Sequence, residues 1–332
     1  MCYQDRQTAV TVEGDVGAAR WIGRLLAVVF LTLATTTPAR AQAIDDVLRA
    51  LAWEACLGPG PAASRAGLCA AAIALEGWSP AETGTLLAYQ GAAVVEGGAV
   101  LPGLTLINEA LSLSPDEPTA LLVRGIVRVE RGDIDGGVRD LTAMLRLVPG
   151  HPEAVNTRAV AHVRMGLLPL AIAELSAALR LHPNHPRLLQ NRANALRDTG
   201  QVEQAIRDYD RLIRVHGRSV PALADRCLAR LVRGDLAVAL ADCEAAVTLA
   251  PETADVIENR GLVLLRLNRL DPALADFNRA LALRETQAWA LYGRGVLRVR
   301  RGDAARGGAD IRAARALDPR VGDDLGRFGI KP

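Results

Sequence analysis

"NRGLVLLRLNRLDPALADFNRALAL", residues Asn259–Leu283, decides the fold. Its apolar residues recur at helical spacing on both sides of Leu267-Asn268-Arg269, so it reads as two amphipathic helices joined by a short turn. Gly261 and Ala273 are small, one in each helix, which suits two helices crossing closely. Bulky Phe277 follows, one turn after Ala273.

The same phrase recurs along the chain. A 34-residue frame started at Gly84 runs without a gap to Val321, in units 84–117, 118–151, 152–185, 186–219, 220–253, 254–287 and 288–321. Register 15 holds Gly98, Gly132, Gly166, Gly200, Gly234, Asn268 and Gly302, residues that accept the left-handed backbone of a helix end. The three "RGD" tripeptides at Arg131, Arg233 and Arg301 are spaced by whole multiples of this period, so they read as turns and not as adhesion motifs. Register 8 is small (Gly91, Gly125, Ala159, Ala193, Cys227, Gly261, Gly295), and so is register 20 (Gly103, Gly137, Ala171, Ala205, Ala239, Ala273, Gly307). Register 24 is mostly bulky, as at Ile107, Leu141, Leu175, Tyr209 and Phe277. Register 32 is often proline, which stops the second helix.

Period, small–small contacts, bulky register 24 and terminal proline together resemble the tetratricopeptide repeat, over residues 84–321 of the 332. The resemblance implies an all-α fold: a right-handed superhelical solenoid of antiparallel helix pairs, each burying its apolar face only against its neighbours. It also implies that registers 2, 5, 9 and 12 of each first helix line a concave groove. Those positions are apolar early (Ala88, Ala92, Val95, Leu122, Ile126, Val129) and amide-bearing in the middle (Asn156, Gln190, Asn194, with Arg197). Later they are leucines, among them Leu228 and Leu262, and then Trp289 and Tyr292. Trp289 and Tyr292 have two readings: anchors of a binding surface, or a platform for the C-terminal stub. The lysine that the family's chaperone-tail clamp needs at register 5 is missing, so that specialised binding is not expected.

Register 7 is arginine in six units, and register 23 is acidic in the same six: Arg124/Asp140, Arg158/Glu174, Arg192/Asp208, Arg226/Asp242, Arg260/Asp276 and Arg294/Asp310. The first unit lacks both, with Gln90 and Leu106. In a hairpin turning near register 15 the two registers lie at equal height, which predicts a ladder of arginine–carboxylate pairs. An anion-binding role is the weaker reading, because each cation brings its own counter-charge.

Outside the frame, residues 1–43 read as a secretory signal peptide. Arg20 and Arg24 precede the apolar run Leu25–Ala34, and Ala41-Gln42-Ala43 offers a small-residue cleavage site. An uncleaved inner-membrane anchor facing the periplasm is the alternative. Residues 44–83 predict a capping helical hairpin, ending in the capping box Ser79-Pro80-Ala81-Glu82. Residues 322–332 form a tail in which Leu325 and Phe328, with Val321, suit a helical stub over the last unit.

Export makes the cysteines informative. Cys56 and Cys69 flank a short loop in the cap, where a disulfide would staple the piece with the smallest core. Cys227 and Cys243 occupy registers 8 and 24 of one unit, either as a second disulfide or as two small core residues. "HPNHP", residues 182–186, falls at an inter-unit turn and reads as solvated turn histidines rather than a metal cage.

Half the residues are hydrophobic, 3% are aromatic and the net charge is only +2, which gives no field for nucleic acid. No nucleotide-binding glycine loop, nucleophile elbow or metal-ligand spacing occurs, so neither an enzyme nor a cofactor is expected. The expectation is an exported or periplasmic scaffold for a protein or peptide ligand. The alternative is a membrane-tethered cell-envelope assembly factor whose arginine-rich C-terminal end contacts lipid or an anionic polymer.

Overall fold

The computed structural model describes residues 38–332, with side chains from Gln42 onward. Most of the expected leader lies outside the described residues; the expected cleavage site falls inside the first helix. The described chain is helical throughout and forms two compact units, one ending at Ala120 and the other running from Leu121 to Pro332. Among the described residues no helix is long and apolar enough to cross a membrane.

In the first unit, α1 (Pro38–Leu57) and α2 (Ala62–Ile73) make the N-terminal hairpin, followed by the pair α3 (Pro80–Glu96) and α4 (Val100–Leu113). A disulfide joins Cys56 to Cys69, both fully buried, across the Pro-Gly loop between α1 and α2. Trp53 and Trp78 meet beside it with ring centroids 5.7 Å apart. α3 starts where its sequence demands: Ser79 Oγ accepts from the Glu82 amide at 3.3 Å, and Glu82 returns the bond to the Ser79 amide at 2.8 Å.

The chain then continues in pairs: α5 (Pro118–Glu130) with α6 (Ile134–Leu147), α7 (Pro152–Arg164) with α8 (Leu168–Leu181), and α9 (Pro186–Asp198) with α10 (Val202–His216). There follow α11 (Val220–Arg233) with α12 (Leu236–Leu249), α13 (Ala254–Arg266) with α14 (Leu270–Leu283), and α15 (Ala288–Arg300) with α16 (Ala304–Leu317). A short α17 (Val321–Arg327) ends the chain. Successive helices pack on one another from α1 to α4 in the first unit and from α6 to α17 in the second, where the first helices α7, α9, α11, α13 and α15 also pack on each other in order.

The 34-residue beat is visible in the backbone. All seven register-15 residues have positive φ, from +57° at Asn268 to +92° at Gly98. The small registers mark where helices touch: a Cβ on Gly295 would lie 2.8 Å from the Gly307 carbonyl oxygen and 2.7 Å from Ile311. Register 24 supplies the fully buried bulk of each pair, with Leu141, Leu175, Tyr209 and Phe277 at 0% exposure. In the pair α11/α12 a buried Cys227–Cys243 disulfide, Cα atoms 5.6 Å apart, occupies that contact.

Every register 7–register 23 pair is closed. The shortest distances are 2.8 Å for Arg124–Asp140, 2.7 Å for Arg158–Glu174 and Arg192–Asp208, 2.6 Å for Arg226–Asp242 and Arg260–Asp276, and 2.8 Å for Arg294–Asp310. Two further features extend this ladder. The same arginine reaches back to register 25 of the preceding pair: Arg158 to Thr142, Arg192 to Ser176, Arg226 to Asp210 and Arg294 to Asn278, at 2.7–3.3 Å. Register 11 adds a second partner to the acid where it is polar: Arg128 on Asp140, His162 on Glu174, Arg230 on Asp242 and Arg298 on Asp310. The guanidinium fork thus binds within its own pair and between pairs at once.

The histidines work as fasteners. His182 Nε2 donates to the Gly150 carbonyl at 3.1 Å, and His216 Nε2 donates one period later to the Asn184 carbonyl. His151 caps α7 through its Nδ1, which accepts from the Ala154 amide at 3.4 Å. Among the described residues no cluster of side chains is arranged to hold a metal ion.

Candidate functional site

The inner face of α9, α11, α13 and α15 changes from polar to apolar along its length. In the polar stretch Asn156 is buried and accepts from the Asn191 side chain at 2.7 Å. Gln190 donates to Asp225, while Asn194 accepts from the Tyr209 hydroxyl. Arg197 lies between two acids, 3.1 Å from Asp198 and 3.2 Å from Asp225. Burial raises the Asp225 carboxyl, against the pull of Arg197, which lowers it. Burial likewise pushes the Tyr209 hydroxyl above its ordinary range, so it stays a neutral donor. The amides assigned to the groove are therefore already knitted to each other, to Tyr209 and to Asp225, and Gln190, Asn194 and Arg197 are half-buried.

In the apolar stretch the sequence reading needs correction. Leu262 is fully buried, Leu228 is 7% exposed and Tyr292 is 2% exposed, so none offers an open side chain. The tail joins this core. Leu325, Phe328 and Ile330 belong to the same apolar cluster as Leu228, Leu262, Tyr292 and Val296. Trp289 meets Phe328 edge-on with centroids 5.3 Å apart, and the Gly322 backbone lies against the Tyr292 ring. Of the two readings of Trp289 and Tyr292, the platform for the C-terminal stub is the one the geometry shows. Some arginines near the C-terminal end are taken up within the fold, while Arg312, Arg315 and Arg320 are exposed. Arg294 and Arg298 are spent on Asp310, while Arg266 and Arg300 donate to main-chain carbonyls of the tail.

Between the two stretches a pocket of about 430 Å³ stays open, lined by Arg197, Asp198, Val232, Trp289, Arg327 and Phe328. Gly200 and Asp324 complete its wall. Two arginines face two aspartates there beside an aromatic pair, so the charge is balanced and the floor is apolar. Such a lining can hold a segment by shape, ring contact and hydrogen bonds.

One buried acid stands apart. Glu258 on α13 is 6% exposed; its Oε2 accepts from the Ala290 amide at 2.8 Å and from the Gln287 side chain at 3.2 Å. Burial, helped by the nearby Asp255 charge, pushes its carboxyl up to about 8, against the Ala290 amide and Arg284, which pull it down. It fastens the start of α15, next to Trp289. Its sequence signal is only a charge at groove register 5, which elsewhere is apolar, an amide or Tyr292.

Comparison with known proteins agrees with this geometry. The family model described as Tetratricopeptide repeat matches residues 122–186 and 191–254. Among curated proteins nothing matches. Solved structures do, and each shows the fold alone. A tetratricopeptide repeat protein from Parabacteroides merdae ATCC 43184 is 21% identical, with 76% of this chain and 92% of that chain covered and a TM-score of 0.52. The Cut9–Hcn1 hetero-tetramer of the APC/C is 16% identical, covering 80% of this chain and 52% of that chain, with a TM-score of 0.61. PilF of Pseudomonas aeruginosa is 18% identical, covering 61% of this chain and 92% of that chain, with a TM-score of 0.52. Repeat beat, pair-by-pair packing and the family match at 122–186 and 191–254 together show tetratricopeptide repeats in this chain.

Proposed function

We propose that the protein is a non-enzymatic scaffold that holds a peptide or protein segment on the inner face of its C-terminal unit, in an oxidising compartment such as the periplasm. Tetratricopeptide repeats are in general protein-interaction scaffolds, and that much comes with the family. The observation that carries the finer reading is the open pocket between the amide network of α9 and the Trp289–Phe328 pair. It has the ingredients of a recognition site and none of a catalytic one. Its arginines are neutralised by aspartates, and no nucleophile is paired with a base there. The compartment reading is supported by two buried disulfides, which fit an exported protein better than a cytosolic one.

Selection from a displayed peptide library on the purified chain tests the binding. Selected peptides should lose affinity about tenfold or more when Trp289→Ala removes the aromatic wall. They should keep it when Leu51→Ala alters an exposed residue of the first unit. A library that yields no binder, or binders indifferent to Trp289→Ala, would defeat the site. Cell fractionation tests the compartment: recovery in the cytoplasm with four free thiols would defeat it.

A further inference from the structure

Past α17, Phe328 and Ile330 are buried while Gly329, Lys331 and Pro332 between and after them are exposed. Chain ends are ordinarily exposed, yet Phe328 is 6% exposed and Ile330 is 0% exposed. The main chain around them is gripped by two guanidiniums from different pairs. Arg266, at the end of α13, donates to the Phe328 carbonyl, and Arg300, at the end of α15, donates to the Lys331 carbonyl at 3.2 Å. Gly329 between them has φ +70°, and a Cβ there would lie 2.6 Å from Arg266 Nη1. A cap needs to cover only the last pair. This segment goes further, reaching from α16 to the end of α13 at Arg266, and Phe328 and Ile330 join the apolar cluster that includes Leu262.

We infer that Arg266, Arg300 and Trp289 form a receptor for a segment that turns through a glycine, with an aromatic residue before it and an aliphatic one after it, and that the chain's own Phe328-Gly329-Ile330-Lys331 fills it as an internal competitor. This rests on the scaffold reading above and gives it a ligand chemistry and a regulation. Guanidiniums that hold carbonyls read the main chain, which any peptide possesses, while the ring of Trp289 and the leucine cluster select the side chains. The tail is poorly anchored by its own structure. α17 has seven residues with Gly322 and Gly326 among them, too short and too glycine-rich to persist as a free helix. The pocket beside Phe328 gives an incoming segment a foothold before the tail leaves.

The probe is a synthetic peptide of residues 321–332, titrated calorimetrically into two proteins: the full chain, and a chain ending at Arg327 that keeps α17. The shortened chain should bind the peptide, and the full chain should bind it about tenfold more weakly, because its own tail competes at millimolar effective concentration. Arg266→Ala in the shortened chain should abolish that binding. A shortened chain that is folded by circular dichroism but leaves the peptide unbound, or equal affinity in both chains, overturns the inference. If shortening unfolds the protein, the full chain with Phe328→Ala and Ile330→Ala takes its place; it should bind the peptide more tightly than the parent, and equal affinity overturns the inference. Library peptides that bind the shortened chain while the tail peptide does not would sink the internal-competitor reading and leave the scaffold reading standing.

Discussion

Arg226 donates two hydrogen bonds to Asp242 across the α11/α12 pair, at 2.8 and 2.6 Å. Its remaining terminal nitrogen donates to Asp210 of the preceding pair at 2.7 Å. Asp242 in turn accepts from Arg230 at 2.6 Å. The acid is 7% exposed, so its loss leaves two guanidiniums in a poorly hydrated place with only Asp210 to share, at 2.7 Å from Arg226 and 3.7 Å from Arg230.

We therefore expect Asp242→Asn to destabilise the protein by about 3 kcal/mol in urea unfolding. Asp276→Asn should cost about 1 kcal/mol less, because Asp276 serves Arg260 alone and register 11 there is Leu264. Equal losses would show that the second cation contributes nothing.

Glu258 sets a pH dependence with a definite sign. Its folded carboxyl is raised to about 8 from an ordinary 4.5, so the folded state holds the proton more tightly than the unfolded one. Below about 4.5 both states are protonated and the group is neutral to stability; as pH rises toward 8 stability falls, and above 8 the loss levels off. Glu258→Gln keeps an acceptor for the Ala290 amide and removes the charge. Its melting temperature should match the parent at pH 4.5 and exceed it increasingly up to pH 8, with a gain of about 2–4 kcal/mol at the plateau. Parallel melting curves at every pH would refute the assignment.

Helix crossings are tight at named glycines only. Gly295→Ala drives a Cβ to 2.8 Å from the Gly307 carbonyl, whereas a Cβ on Gly67 of α2 meets nothing within 4 Å. We expect Gly295→Ala to lower stability by about 1–3 kcal/mol. Gly67→Ala should raise it by about 0.5–1 kcal/mol through better helix propensity. Thermal unfolding of the two variants, compared with the parent, checks the opposite signs.

Reduction should act locally. Removing Cys56–Cys69 by a double change to alanine should cost about 3 kcal/mol and show first as faster hydrogen exchange in α1 and α2. Removing Cys227–Cys243 should show in α11 and α12. Exchange that spreads evenly over the whole chain in either variant would contradict nearest-neighbour packing.

Much of this was legible in the chain because a repeat writes its contacts at fixed intervals. Turn positions such as Gly234 and Asn268, the small–small crossing of Gly295 and Gly307, and the pairing of Arg226 with Asp242 all lie within one period. The backward bond from Arg226 to Asp210 was equally periodic, but register 25 is Thr142, Ser176, Asp210, Glu244 or Asn278, chemically too varied to stand out. A C-terminal stub over Tyr292 was one of two open readings, but the joining of Ile330 to the cluster of Leu262 was not legible. It depends on where a non-repeating tail comes to rest, and neither α13 nor the sequence of Phe328–Lys331 announces the other. Glu258 was hidden for a similar reason: its partners, Gln287 and the Ala290 amide, are made by the next pair's helix start.

The backward-reaching arginines have a consequence for how such an array lengthens or shortens in evolution. A segment cut out at Arg226 and pasted elsewhere would carry a cation adapted to an acid its new predecessor need not possess. Duplication is then safe only in blocks that bring the donor's upstream neighbour along. The opening pair, with Gln90 and Leu106 where the others have arginine and acid, lacks this pairing and packs on the N-terminal hairpin instead.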